Sequence, residues 1–192
     1  MKQYIKIFAL TALATGIAAC TEGPDEAALG TQVDMTFRAS FGALTKAELD
    51  PDTYQVSWEL GDRISLLYGT KNFTFTGKTA GPVSEFTGKA LQIPAKDHYI
   101  AVYPYSEDYL LEGRSFNINL PSLLSPVPDS FSGAVGTAVV NEAEADFRHV
   151  TGYVSFQVTR NDINHVIIRS GNGEALSGTF KVTVNADGSS SM

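Results

Sequence analysis

The chain has 192 residues, 43% of them hydrophobic, with Gly 17 and Pro 8, so it can bury a core but is short for two full domains. Lys and Arg number 14 against 21 Asp and Glu, a net charge of -7 with the basic residues scattered, which argues against electrostatic capture of nucleic acid. A charged fraction of 18%, a single apolar stretch that approaches membrane length and a single cysteine argue in turn against wholesale disorder, a polytopic membrane protein and any intrachain disulfide or cysteine-rich metal cluster.

The N-terminus carries Lys2 and Lys6 ahead of an apolar run from Ile7 to Ala19, interrupted only by Thr11, Thr15 and Gly16, the pattern of a secretory signal. Ile17-Ala18-Ala19-Cys20 resembles the bacterial lipobox, in which small residues precede a cysteine that is diacylated and becomes the mature N-terminus. Cys20 is therefore expected to be lipidated and residues 1–19 removed, leaving 12 basic against 21 acidic side chains. Residues 20–31 have no apolar periodicity and read as a flexible acidic tether between lipid and fold.

From Val33 the chain alternates. Val33, Met35, Phe37, Ala39 and Phe41 share one face while Asp34, Thr36, Arg38 and Ser40 share the other, which predicts a half-buried strand. Tyr54, Val56, Trp58 and Leu60 predict a second strand by the same rule. Further strands are expected at 64–68, 73–75, 99–103, 116–120, 150–158, 166–168 and 180–184, most of them bounded by Gly, Pro, Asn or Asp. The best helical candidate, residues 134–145, contains Gly136 and the β-branched Val139 and Val140 and is read as a loop or a short helix. Residues 121–130 hold three prolines and predict a surface crossover, and residues 161–164 predict a polar break. Many short strands with frequent turns imply an all-β sandwich over residues 32–160. Residues 161–192 are too few for an independent domain, so they are expected either to add strands to that sandwich or to open a second, incomplete one.

Four segments in order resemble the fimbrillin family of Bacteroidales surface lipoproteins. They are Phe37-Arg38-Ala39-Ser40 followed by Thr45-Lys46-Ala47, then Trp58-Glu59-Leu60-Gly61-Asp62-Arg63-Ile64, then Ala101-Val102-Tyr103-Pro104-Tyr105, and finally Phe147-Arg148-His149-Val150. The acidic tether after Cys20 also looks like that of surface-exported lipoproteins of such bacteria. The resemblance implies transthyretin-like β-sandwiches, assembly with other fimbrial subunits or anchor proteins by insertion of a strand into a neighbour's groove, and attachment to the outer membrane through the lipid on Cys20. It also implies proteolysis after a basic residue near the N-terminus, for which Arg38 and Lys46 are the candidates; both read equally as an exposed strand residue and an exposed turn residue. An open sheet edge suits strand insertion because its free N–H and C=O groups can be satisfied by a neighbour.

A catalytic centre is not expected. His98, His149 and His165 have no metal-ligand spacing, no nucleophile elbow is present, and Gly171 to Gly178 lies between two predicted strands as a hairpin loop with no following helix. The carboxylates of Asp50, Asp52, Glu107 and Asp108 read as solvated turn residues in preference to Ca²⁺ ligands, so neither metal nor cofactor is expected. Tyr103, Tyr105 and Tyr109 cluster near one strand end, which leaves a glycan-binding surface lipoprotein as the rival to a fimbrial component, with a host protein or glycan as the ligand.

Overall fold

A computed structural model describes residues 31–42, 57–124, 135–141, 143–152 and 158–192. Its strands are β1 (Gln32–Phe41), β2 (Arg63–Tyr68), β3 (Lys71–Gly77), β4 (Val83–Leu91), β5 (Tyr99–Tyr103), β6 (Ser115–Leu120), β7 (Gly136–Asn141), β8 (Glu144–His149), β9 (Gly178–Val184) and β10 (Ser190–Ser191). There is no helix among the described residues, so the fold is all-β, as the alternation predicts. Seven strands close into a barrel in the order β1-β4-β3-β2-β5-β7-β8, and β10, β9 and β6 form a separate three-stranded sheet. Every barrel pair is antiparallel except the seam, where β1 and β8 run parallel from Arg38↔Glu144 to Phe41↔Phe147.

The barrel interior is filled by alternate residues. Phe37 and Ala39 of β1, Ile64 and Leu66 of β2, Phe75, Phe86, Ala101, Ala138, Ala145 and Phe147 all point inward and are buried. Trp58 completes this core: its indole Nε1 donates to the Ala39 carbonyl at 2.9 Å, and its ring stands edge-on to Phe86, Tyr103 and Phe147. The opposite face of the wall formed by β2, β5 and β7 is also apolar. Leu67, Ile100, Val102 and Val139 point outward there and meet Phe116 and Ile118 of β6 and Val182 and Val184 of β9. The three-stranded sheet thus packs on the outside of the barrel, making the molecule sandwich-like with one of its two layers closed on itself.

Burial on both faces explains an expectation the structure overturns. Residues 134–145, read as a loop or short helix, contain all of β7 and the start of β8. Residues 135–140 are all buried, with Ala138 and Val140 in one core and Val135 and Val139 in the other, so the run carries no period-2 signal. Strand β4 was absent from the expectations because three of its inward positions are the small residues Ser84, Gly88 and Ala90. Of the strand predicted from Tyr54 to Leu60, Tyr54 and Val56 lie outside the described residues, and Trp58 forms only an isolated bridge with Gly81. There the chain turns through Gly61, at φ 90, with the Asp62 carboxylate accepting from the Glu59 N–H at 2.8 Å, and Leu60 is left in solvent. The strand predicted at 150–158 is not seen in its described part: β8 ends at His149, residues 150–152 bend away, and 153–157 lie outside the described residues. Residues 166–168 are not a strand either, so Gly171 to Gly178 is not a hairpin loop. Beyond them β9 pairs with β6 from Ser115↔Thr183 to Leu120↔Gly178, and β10 pairs with the end of β9.

Candidate assembly surface

Among the described residues, the three-stranded sheet leaves one side of β6 without a partner strand. One side of β6 pairs with β9, while the other meets only the turn before it, where Ser115 and Glu112 exchange backbone hydrogen bonds of 2.7 and 3.0 Å. From Asn117 to Leu120 that side has no ladder partner among the described residues. The sequence of β6, Ser-Phe-Asn-Ile-Asn-Leu, contains no Lys and no Pro, the residues that commonly protect an edge from pairing with another chain. Phe116 and Ile118 point into the second core, and Asn117 and Asn119 face solvent opposite Lys181 and Thr179.

A second feature adjoins it in sequence. Residues 158–177 lead into β9, and all of them are exposed except Ser170 and Ser177. Within this stretch Val166, Ile167 and Ile168 are 50%, 75% and 54% exposed, a β-branched run of high strand propensity with no strand to pair with among the described residues. Three consecutive aliphatic side chains in water go well beyond the scattered apolar surface that any protein shows.

What seats β9 is compact. Val182 and Val184 are fully buried. The Ser115 and Thr183 hydroxyls are 2.9 Å apart across the ladder. The guanidinium of Arg114 donates from Nε to the Val184 carbonyl at 2.6 Å and from an Nη to the Asn185 carbonyl at 2.7 Å, while the Val184 N–H returns a bond to the Arg114 carbonyl at 2.9 Å. A charged fork on two consecutive carbonyls holds the end of β9 in register. Nothing in the sequence marks Arg114 for this role, because its partners lie about 70 positions away.

The remaining candidates fall in different places. Cys20, Lys46, Asp50 and Asp52 lie outside the described residues. Arg38 sits midway along β1, flanked by Glu85 on β4 and Glu144 on β8, with its N–H bonded to the Ala143 carbonyl at 2.8 Å. Its side chain is exposed, but its peptide is held in a ladder on both sides, so cutting there requires β1 to open. Tyr103 packs in the barrel against Trp58 and Phe41, whereas Tyr109 is buried in the other core against Phe116. Burial, reinforced by Asp62, pushes the Tyr103 phenol up to about 12. Tyr103 and Tyr105 are each half-buried, Arg63 lies over the Tyr105 ring at 5.1 Å and Tyr109 is buried in the other core, so the three tyrosines do not form one exposed stacking platform. His149 stacks on Phe41 with ring centroids 4.7 Å apart, and burial lowers its imidazole below the usual range. His98 and His165 are exposed, the first on the loop before β5 and the second beside Asn164, to which it is hydrogen-bonded. Among the described residues no three His, Cys, Asp or Glu side chains are grouped to hold a metal ion. The Ser106 hydroxyl accepts from the Asp108 backbone N–H at 3.2 Å, and Asp108 is an exposed turn residue.

An open groove of about 980 Å³ lies where the β7–β8 turn approaches the β9–β10 turn, bounded by Met35, Ile93, Asp97, Arg148 and Asp187. The sequence carries no signal for it, since its walls come from four separate segments. No protein family, curated protein or solved structure matches this chain.

Proposed function

We propose that this chain is a fimbrillin-type surface lipoprotein, held in the outer membrane through lipid on Cys20, that acts as a structural or accessory component of fimbriae in assembly and adhesion by β-strand exchange with other subunits or an anchor protein. The observation that carries the reading is the side of β6 that has no ladder partner among the described residues and no protecting Lys or Pro, in a chain that also presents Val166, Ile167 and Ile168 to solvent. The lipobox, the acidic tether and the four ordered motifs support the anchored, exported location. The burial of Tyr109 and the packing of the half-buried Tyr103 against Trp58 weigh against the glycan-stacking alternative.

The test uses surface filaments sheared from the producing cells, run unheated on a denaturing gel and blotted for this protein. A ladder that collapses to one band on heating is the expected result, and N-terminal sequencing of its rungs tells whether the chain begins at Cys20 or after a basic residue. A cell-retained lipidated monomer with no ladder overturns assembly by strand exchange.

A further inference from the structure

We infer that Asn172 is a self-modifying position: in the folded chain its side-chain amide is lost to attack by the Gly173 backbone nitrogen, leaving aspartate or isoaspartate in the loop before β9. Asn172 is the one asparagine of the chain that a glycine follows. With no Cβ on the next residue, no side chain of its own shields the attacking nitrogen. The fold leaves this pair open to react. Residues 171–176 are all exposed, and a Cβ on Gly173 would meet nothing within 4 Å. The N–H groups of Asn172 and Glu174 both donate to the Ser170 hydroxyl at 3.1 Å, while the Gly173 N–H between them donates to no group among the described residues. Turning that nitrogen toward the Asn172 side chain therefore breaks no hydrogen bond of its own.

The Gly173 nitrogen forms a bond to Asn172 Cγ and closes a succinimide ring, and its proton leaves with the side-chain amide as ammonia. Water then opens the ring on either side of that nitrogen. Cleavage of the new N–Cγ bond gives aspartate, and cleavage of the bond to the Asn172 backbone carbonyl carbon gives isoaspartate, with the main chain running through Cβ and Cγ. Overall one water is consumed and one ammonia released with no oxidation or reduction, and the loop gains a negative charge. That charge arises beside Glu174, whose carboxylate accepts from the Ser170 hydroxyl and is also held in its ionised form by the Asn172 side chain. Like charges brought together there weaken the Ser170–Glu174 turn. The one aspartate that a glycine follows, Asp187, offers the same chemistry in a closed setting. Gly188 is buried and its N–H donates to the Asn185 carbonyl at 3.1 Å, while Asp187 Oδ1 accepts from the Ser189 N–H and hydroxyl at 3.0 and 2.7 Å. Those bonds to Ser189 also keep the Asp187 carboxyl below its usual range, in the ionised form that a nitrogen attacks least readily.

The experiment incubates the purified, folded full chain at neutral pH beside synthetic peptides of residues 170–181 and 182–192, for as long as the free peptides take to convert. Brief trypsin digestion after Arg169 and Lys181 then releases the same two segments from the protein, and Asn172 is the only asparagine of the first. Mass spectrometry is expected to find segment 170–181 converted at the rate of its free peptide, into two chromatographically separate products in which oxygen replaces the amide NH. The conversion is expected to slow as the pH is lowered, because the attacking nitrogen reacts in its deprotonated form. Segment 182–192 is expected to stay unisomerised in the folded chain and to form isoaspartate at Asp187 once urea unfolds it. Conversion of Asn172 slowed about tenfold or more relative to the free peptide overturns the proposal, since it shows that the turn at Ser170 holds the pair apart. Isomerisation of Asp187 in the folded chain at its own free-peptide rate overturns it as well, because the bond made by the glycine N–H is then not what decides which pair reacts.

Discussion

At the scale of the residue, the barrel end around β1 and β8 is built from rings, and one of them titrates. Phe41 stacks on His149 at an interplanar angle of 16° and also packs against Trp58 and Phe147. Burial disfavours the charged imidazole, so the folded-state value of His149 lies below the ordinary 6.5. The unfolded chain accepts a proton near pH 6.5 that the folded chain resists. The stability attached to this group is therefore complete above about pH 6.5 and is lost as the pH falls from there toward the folded value, with a slope of at most ~1.4 kcal/mol per pH unit. Urea midpoints followed by the fluorescence of Trp58, the one tryptophan of the chain, are expected to fall between pH 7.5 and 5.5. The His149→Gln variant is expected to show a flatter profile over the same interval. A wild-type midpoint that rises as the pH is lowered would contradict this assignment.

At the scale of the element, β3 and β4 approach so closely that one position tolerates no side chain. A Cβ on Gly88 would stand 2.6 Å from the Thr74 carbonyl oxygen and 2.7 Å from a ring carbon of Phe75. The obstacle is backbone and a fully buried ring, neither of which can swing away. Gly88→Ala is expected to cost about 1–3 kcal/mol, the range for overpacking, whereas Gly152→Ala, with nothing within 4 Å, is expected to leave the thermal midpoint unchanged. Equal midpoints for the two variants would show that the strands can part at this point. The same residue explains why β4 was illegible in the sequence: Gly is depleted in strands, and what favours it here is a neighbour that sequence does not reveal. Alternation was legible where one face meets water, as in β1 and β6. It vanished in β7, where both faces are covered. It also misled at 166–168, where β propensity is high but no partner strand lies beside the segment among the described residues. Of the candidate site, the strand β6 could be read from its pattern, but its place at the edge could not, because that depends on which strands the chain leaves unpaired.

At the scale of the whole molecule, the two cores are not equivalent. The barrel interior is enclosed by a ring of ladders that includes its own seam, so its burial does not depend on the outer sheet. The second core exists only while β9 covers it. Removing residues 178–192 takes away Val182 and Val184 and uncovers Leu67, Ile100 and Val102 on the barrel wall. At ~1.5–3 kcal/mol for each fully buried aliphatic side chain, the two valines alone represent about 3–6 kcal/mol. That is a large share of the ~5–15 kcal/mol that holds a domain folded, and corresponds to a fall of roughly 10–20 °C in the thermal midpoint. The truncated chain is expected to keep strand-type circular dichroism from the barrel, to bind a hydrophobic dye at the bared wall, and to melt at the lower temperature. A peptide spanning residues 176–192, added in excess, is expected to displace the dye and recover most of the midpoint, since every contact it needs is supplied by β6, Arg114 and the wall. A peptide with Val182 and Val184 both changed to Asp is expected to do neither. If the truncated chain melts at the full-length temperature and binds no dye, the outer sheet contributes no essential cover, and the barrel is the whole of the folded unit.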